Sequence, residues 1–257
     1  MGKRIAIGGM LALVALAYAF PHAALVAAGA VGYSVCHQWP EHSLSAGGTP
    51  FPLCARCTGT YFGALAVLGF AWATGRSKAG AWPPRTVAIL LAAGLALMAL
   101  DGGNSFVDAL TGGRVRLYAP NNSLRYATGV FSGMAMVGFG YPLLNAVTWR
   151  DWADASVLRR AREVIAVAIV VWAALPVVSR AAWLLPLVSL LSLTGMAILF
   201  TGVNAALWLV LARKEERASA FRDVLPALAV GFLLAAGEIV LIRVARAALE
   251  RAVLGMP

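Results

Sequence analysis

The chain has 257 residues, of which 61% are hydrophobic and only 12% charged; a soluble domain has about half and about a quarter. Its apolar residues come in long runs with short polar breaks, more than a soluble core of this size can bury, so lipid is the expected solvent. The net charge of +10 does not point to nucleic acid. Most basic residues sit in short loops beside apolar runs, where they orient a membrane protein, and no basic stretch is interleaved with aromatics.

In hydrocarbon every backbone amide must be bonded internally, which leaves helices or closed barrels. The runs lack the alternation of barrel strands, so helices follow. Lys3 and Arg4 precede a first run over 5–35. Ala17-Tyr18-Ala19 resembles a signal-peptide cleavage site, but the run continues past it, which favours a retained helix kinked at Pro21. Further runs cover 59–73, 86–100, 126–147, 164–178, 183–211 and 224–244. The reading is an all-α, polytopic bundle of about seven spans, with six or eight as near alternatives. No repeat or linker separates a second unit, so residues 1–257 read as one integral membrane domain.

Loop charge orients it. Thirteen of the 21 basic residues, from Lys3 and Arg4 through Arg76, Arg150 and Arg213 with their neighbours, fall in one alternate set of loops. The positive-inside rule places that set and the N-terminus in the cytoplasm and the C-terminus outside. The basic C-terminal tail argues weakly the other way.

The chemically distinctive stretch is the loop 36–58, on the extracytoplasmic side in this topology. It reads Cys36-His37-Gln38-Trp39-Pro40-Glu41-His42-Ser43, then a Gly/Pro-containing loop, then Cys54-Ala55-Arg56-Cys57-Thr58. All three cysteines and two of the three histidines of the chain lie here. Three readings compete. Cys54 and Cys57 have the C-x₂-C spacing that lets two thiolates grip one ion, Cys36 adds a third sulfur, and His37 or His42 a fourth ligand; zinc suits that set, with iron or copper as alternatives. A C-x-x-C at a helix start also fits a dithiol that cycles with its disulfide. The third reading is a structural disulfide with one buried thiol.

Other polar residues reach the same face. Asp101 closes the third run, Asp108 follows in the connecting loop, and Asn121, Asn122 and Arg125 precede the fourth. Arg125 is expected either to pair with Asp101 or to line, with it and the Cys–His loop, a cleft for an anionic group. Glu238 lies inside the last run, where a carboxylate is a functional-site candidate; it is expected to be protonated, paired with an arginine such as Arg125 or Arg180, or facing an aqueous cavity. Asp101, Arg125 and Glu238 are therefore the candidate catalytic residues. His22, after Pro21, reads as structural. The spacing Gly129-Val130-Phe131-Ser132-Gly133 permits close helix packing.

Cys36-His37-Gln38, Pro40, Ser43 and Cys54-Ala55-Arg56-Cys57-Thr58-Gly59 with Tyr61 and Gly63, followed by Asp101-Gly102 and Asn122, Leu124-Arg125 and Thr128-Gly129, resemble the signature of a family of prokaryotic multi-pass membrane proteins, a domain of unknown function. The resemblance covers about residues 30–140. It implies a prokaryotic inner membrane and patches that belong to one site. His42 stands where the family more often has arginine, which makes His37 the better fourth ligand.

Two classes of function follow. With one coordination position open, the protein would be a membrane hydrolase or transferase acting on lipid-linked or extracytoplasmic substrates; no nucleophilic serine with a base, P-loop or dinucleotide signature is evident. With all positions filled, it would be an accessory subunit among other membrane subunits, or a small transporter, with the metal or disulfide pinning a loop.

Overall fold

The computed structural model describes residues 2–254. Nine α-helices form among them: α1 (Gly2–Ala19), α2 (Pro21–Gly32), α3 (Ala55–Ala73), α4 (Arg85–Leu110), α5 (Asn122–Thr148), α6 (Ala161–Ala173), α7 (Leu175–Arg180), α8 (Leu185–Leu211) and α9 (Phe221–Leu254). Five helical stretches are long and apolar enough to cross a membrane, and the α1–α2 pair, taken as one broken span, makes six. α3, at 19 residues, is about 28 Å long and occupies the middle of the bundle. The seven apolar runs thus correspond to seven helical stretches.

The first run is broken rather than kinked. Leu11–Ala19 and Pro21–Gly32 meet at 105°. Pro21 has no amide to donate and crowds the residue before it, and Phe20 accordingly leaves helical geometry with φ −129° and ψ 62°. The third and last runs continue as helix beyond their apolar parts. α4 carries on through Gly102 and Gly103, so Asp101 and Asp108 lie inside a helix and not at its end or in a loop. α9 has 34 residues, about 51 Å of helix, well over the hydrocarbon thickness.

The bundle is helical as expected, with one addition between α2 and α3. Strands β1 (Ser43–Ala46) and β2 (Thr49–Cys54) pair antiparallel. They are joined by Gly47 and Gly48 at φ +56° and +82°, the positive values a two-residue hairpin turn requires.

The tightest helix pair is α3 with α5. A Cβ on Gly59 or Gly63 would run into the backbone of Tyr126 or Val130, and one on Gly129 or Gly133 into the backbone of Arg56 or Thr60. Two glycine pairs at i, i+4 therefore face one another and let the backbones touch. Tyr126, Val130, Met134 and Val67 fill the space around the seam.

The loops sort to two ends. At one, Lys78 bonds Asp151 at 2.9 Å, Arg76 holds Glu163 through two bonds of 2.9 and 3.0 Å, and Trp149 bridges to Ala218. This brings together the loops that carry most of the basic residues. At the other end lie the 33–54 segment, the α4–α5 loop and α7, whose neighbour Ala182 abuts Gly47.

Candidate metal centre

The Cys–His segment is built between α2 and α3 by a few specific bonds. Gln38 sits at φ +55° and donates to the carbonyls of Gly29 and Pro52, both at 2.8 Å, so its amide ties the end of α2 to β2. Pro40–His42 makes a single 3₁₀ turn, closed by Ser43 Oγ donating to Trp39 O at 3.0 Å. Asn122, at the start of α5, donates to the carbonyls of Glu41 and Ser43, both at 3.0 Å. The hairpin register sets Ser43 opposite Cys54, returning the chain to Cys36.

Cys54 caps α3 at φ −62°, ψ 159°, and its amide donates to Cys36 Sγ at 3.2 Å. One potential ligand atom each from Cys36, His37 and Cys54 lie within 4.8 Å of one another. Cys57, in the first turn of α3, is not in that group, though it packs against the cluster that contains Cys36 and Cys54. All three are free thiols. His42 stands behind His37: His37 Nε2 and His42 Nδ1 are 2.9 Å apart, which leaves His37 Nδ1 for an ion and fixes the ring.

The electrostatics favour the binding form at Cys54 and at the two histidines and oppose it at Cys36. Hydrogen bonds from the Cys36 and Cys57 thiols hold Cys54 far below the ordinary thiol range. The same bond to Cys54 pushes Cys36 up to about 11. Burial lowers both His37 and His42, and the charge of Arg125 adds to this at His42, so both rings are neutral imidazoles at pH 7. Residues of this type and placement are compatible with a bound metal ion.

Asp101 is 1% exposed. Its partner is not Arg125 but Arg56, in the first turn of α3. The long Arg56 side chain reaches Asp101 and Ser105 on α4, whereas Arg125 Nη1 donates to Asn122 Oδ1 at 2.9 Å. Tyr118 Oη donates to Asp101 at 2.8 Å, and Thr128 Oγ1 lies 3.4 Å away. Asn104 bonds Tyr118 O and the Leu117 amide at 3.0 and 2.7 Å, so the α4–α5 loop folds onto the same network. Glu238 is not in this constellation. It pairs with neither Arg125 nor Arg180 but accepts from Asn204 Nδ2 at 2.8 Å across the α8–α9 seam, where a neutral donor from the adjacent helix is in reach.

A further brace comes from the far end of the chain. Arg246, deep in the C-terminal part of α9, donates from Nη1 to the carbonyls of Tyr33 and Cys36, both at 2.6 Å. Its guanidinium stands 4.0 Å over the Tyr33 ring and bonds Glu250 at 2.8 Å, and Glu250 accepts from Tyr33 Oη. Ser34 Oγ adds a bond to Ile239 O at 2.9 Å. The only sequence signal was an i, i+4 pair of opposite charges at 246 and 250.

Fold and site together define a polytopic helical membrane protein with a buried Cys–His cluster at one end of the bundle. The chain belongs to the family described as Predicted membrane protein (DUF2085), whose pattern matches residues 36–139. The matched region runs from the first cysteine into α5 and takes in the whole Arg56–Asp101 network. An "Uncharacterized protein" of Methanothermobacter thermautotrophicus (strain Delta H) is 31% identical over 103 residues, which is 40% of this chain and 80% of the relative. No solved structure matches the chain.

Proposed function

We propose that the Cys–His segment holds a divalent metal ion, zinc by ligand preference, on Cys36, His37 and Cys54, with Cys57 as the fourth ligand. One observation carries the reading: the three ligand atoms already lie within 4.8 Å of one another. Tetrahedral zinc separates its ligands by roughly 3.5 Å, so a contraction of about an ångström suffices, and it draws the group toward the Cys57 thiol. Four protein ligands close the site, and the ion then pins the 33–54 segment to the first turn of α3. The chain is, on this reading, an integral membrane protein with a structural metal centre. The centre faces outward across the prokaryotic inner membrane, because the loops at the far end carry Arg76, Lys78, Arg150, Arg213 and Lys214. The N-terminus is then cytoplasmic, and the whole chain forms one membrane domain.

Metal analysis of protein purified without chelator tests this. One zinc per chain is expected, falling below about a tenth in Cys54→Ser. Sub-stoichiometric metal together with oxidised cysteines would overturn it and leave the dithiol chemistry in its place. Cys57→Ser separates the two kinds of centre. Loss of metal is expected; full retention would mean that water takes the fourth position and that the ion is available as a Lewis acid.

A further inference from the structure

The α4–α5 loop turns back along the end of α4 and is held there. Asn104 accepts from the Leu117 amide at 2.7 Å and donates to Tyr118 O at 3.0 Å, and Thr111 Oγ1 accepts from the Val115 amide at 3.0 Å. Between loop and helix lies a groove of about 390 Å³, with Leu100, Gly103 and Val107 of α4 on one side and Val115, Arg116 and Leu117 on the other. It continues the outward-facing apolar stripe of α4, since Leu97 and Leu100 are both more than half exposed. Gly103 stands about 26 Å along the helix from Thr86, where the apolar run begins, which is close to the far limit of the hydrocarbon layer. Glycine is a poor choice for a helix interior, and no packing contact calls for it here: a Cβ on Gly103 would meet nothing within 4 Å, whereas one on Gly94 of the same helix would strike Phe131. What the missing side chain does is keep the groove open.

We infer that this groove binds one phospholipid with an anionic headgroup, from the leaflet at the Cys–His end, with an acyl chain along Gly103 and the phosphate on Arg116. The walls are apolar apart from the loop's anchor at Asn104 and the guanidinium of Arg116. The volume is at the low end for ligand sites and suits one chain. The charge at the mouth matches the headgroup. Arg116 is half exposed and 3.5 Å from Asp108 Oδ1, but that oxygen accepts no hydrogen bond, so the guanidinium keeps its donors, and Arg114 in the same loop is exposed. Two arginines thus outweigh one carboxylate at the level where the span leaves the bilayer, and a planar fork of donors matches a phosphate. A neutral lipid would fill the apolar walls and leave that cation unused. None of these residues is a candidate metal ligand, so this inference and the metal reading stand or fall separately.

Full-length protein in maltoside detergent is exposed to mixed micelles of phosphatidylglycerol or phosphatidylcholine with identical chains, and retained lipid is read by native mass spectrometry over a concentration series. The parent is expected to hold one phosphatidylglycerol about fivefold more tightly than phosphatidylcholine, the worth of one arginine near an anionic headgroup. Gly103→Leu fills the groove from a position where the Cβ meets no protein atom, so its fold is expected to survive while retention of phosphatidylglycerol weakens about tenfold or more, as displacing two chain methylenes requires. Gly69→Leu on α3 should bind as the parent does. Arg116→Gln should bring phosphatidylglycerol down to the level of phosphatidylcholine and leave the latter unchanged. If Gly103→Leu does not fold, Gly103→Ala carries the comparison with a loss of about fourfold, one methylene's worth. Retention that is indifferent to residue 103 overturns the inference, because the lipid then sits elsewhere. Equal retention of the two lipids by the parent overturns it as well, because the groove then holds bulk lipid without reading its headgroup. So does a dimer that Gly103→Leu dissociates, because the groove then seats a second copy of the chain.

Discussion

Asp101 is the single residue that holds the α3 start, the α4–α5 loop and α5 in one electrostatic frame. Its carboxylate takes Arg56, Tyr118 and Thr128 while almost wholly buried. Removing the charge leaves Arg56 unpaired beside Arg125, so Asp101→Asn is expected to cost about 3 kcal/mol or more in stability. The exposed ion pair of Lys78 with Asp151 offers the contrast: Asp151→Asn should cost less than about 1 kcal/mol. Denaturant or thermal unfolding in detergent, the two variants side by side, checks the difference. Tyr118 yields a pH signature from the same frame. Burial, then its hydrogen bond to Asp101, pushes its phenol from about 10 up to about 12. The folded state holds this proton more tightly than the unfolded chain, so the contribution is complete below pH 10 and is lost as pH rises toward 12. Tyr118→Phe should flatten that part of the stability profile, and an unchanged slope would contradict the assignment. The sequence disclosed Asp101 and Arg125 as polar residues at one face but mispaired them. Arg56, which takes Asp101, stands in the sequence only as part of the cysteine motif. Which of two arginines a carboxylate takes depends on the angular position of side chains around three helices, and spacing along one chain does not determine it.

Among elements, the α3–α5 seam and the α9 extension set the geometry of the centre in different ways. The seam places the first turn of α3, with Arg56 and Cys57, against α5 by backbone contact alone. Gly133→Leu forces α3 and α5 apart at Thr60, so no monodisperse folded protein is expected on size exclusion; Gly69→Leu, where a Cβ meets nothing within 4 Å, should behave as the parent. α9 acts at a distance of more than 200 residues in sequence, through Arg246 on the carbonyls of Tyr33 and Cys36. Groups that orient a ligand typically affect metal affinity by 10- to 100-fold. On the metal reading, Arg246→Ala should therefore retain its fold and lose zinc to a chelator about tenfold faster or more, followed by a chromophoric competitor. Glycine spacing made half of the seam legible beforehand, since Gly129 and Gly133 were read as a packing face. The hairpin's one signal in the sequence is Gly47-Gly48, which fits a loop as well as a two-residue turn. The α9 brace was not legible at all, because its two bonds from Arg246 go to backbone carbonyls, which carry no residue-type signal.

At the scale of the molecule, the surface of the helices is apolar in the way a lipid-exposed bundle requires. Ile89, Leu97, Ile169, Val170, Val203, Leu207, Leu233 and Leu241 all point outward. The seven runs forecast this architecture well, since long apolar stretches leave the backbone few alternatives in lipid; the 105° break at Phe20 exceeded the expected kink because a proline restricts its predecessor as well as itself. The helix order then fixes relative sidedness more firmly than charge counting does. Arg246 and Glu250 contact the Cys–His segment directly, so the C-terminal part of α9 and the β1–β2 hairpin must lie on one side of the membrane. The loops of Lys78 and Asp151, joined to one another, must lie on the other. Single cysteines at Ser45, Arg251 and Asp154, compared with the parent for added labelling, test both statements at once. An impermeant maleimide applied to intact cells should modify Ser45→Cys and Arg251→Cys, and Asp154→Cys only after lysis. The reverse pattern would keep the bundle and invert its orientation, against the charge bias of the loops. Labelling of residue 251 together with 154, and not with 45, would mean that α9 does not reach the Cys–His segment. The brace on Cys36 would then be lost with it.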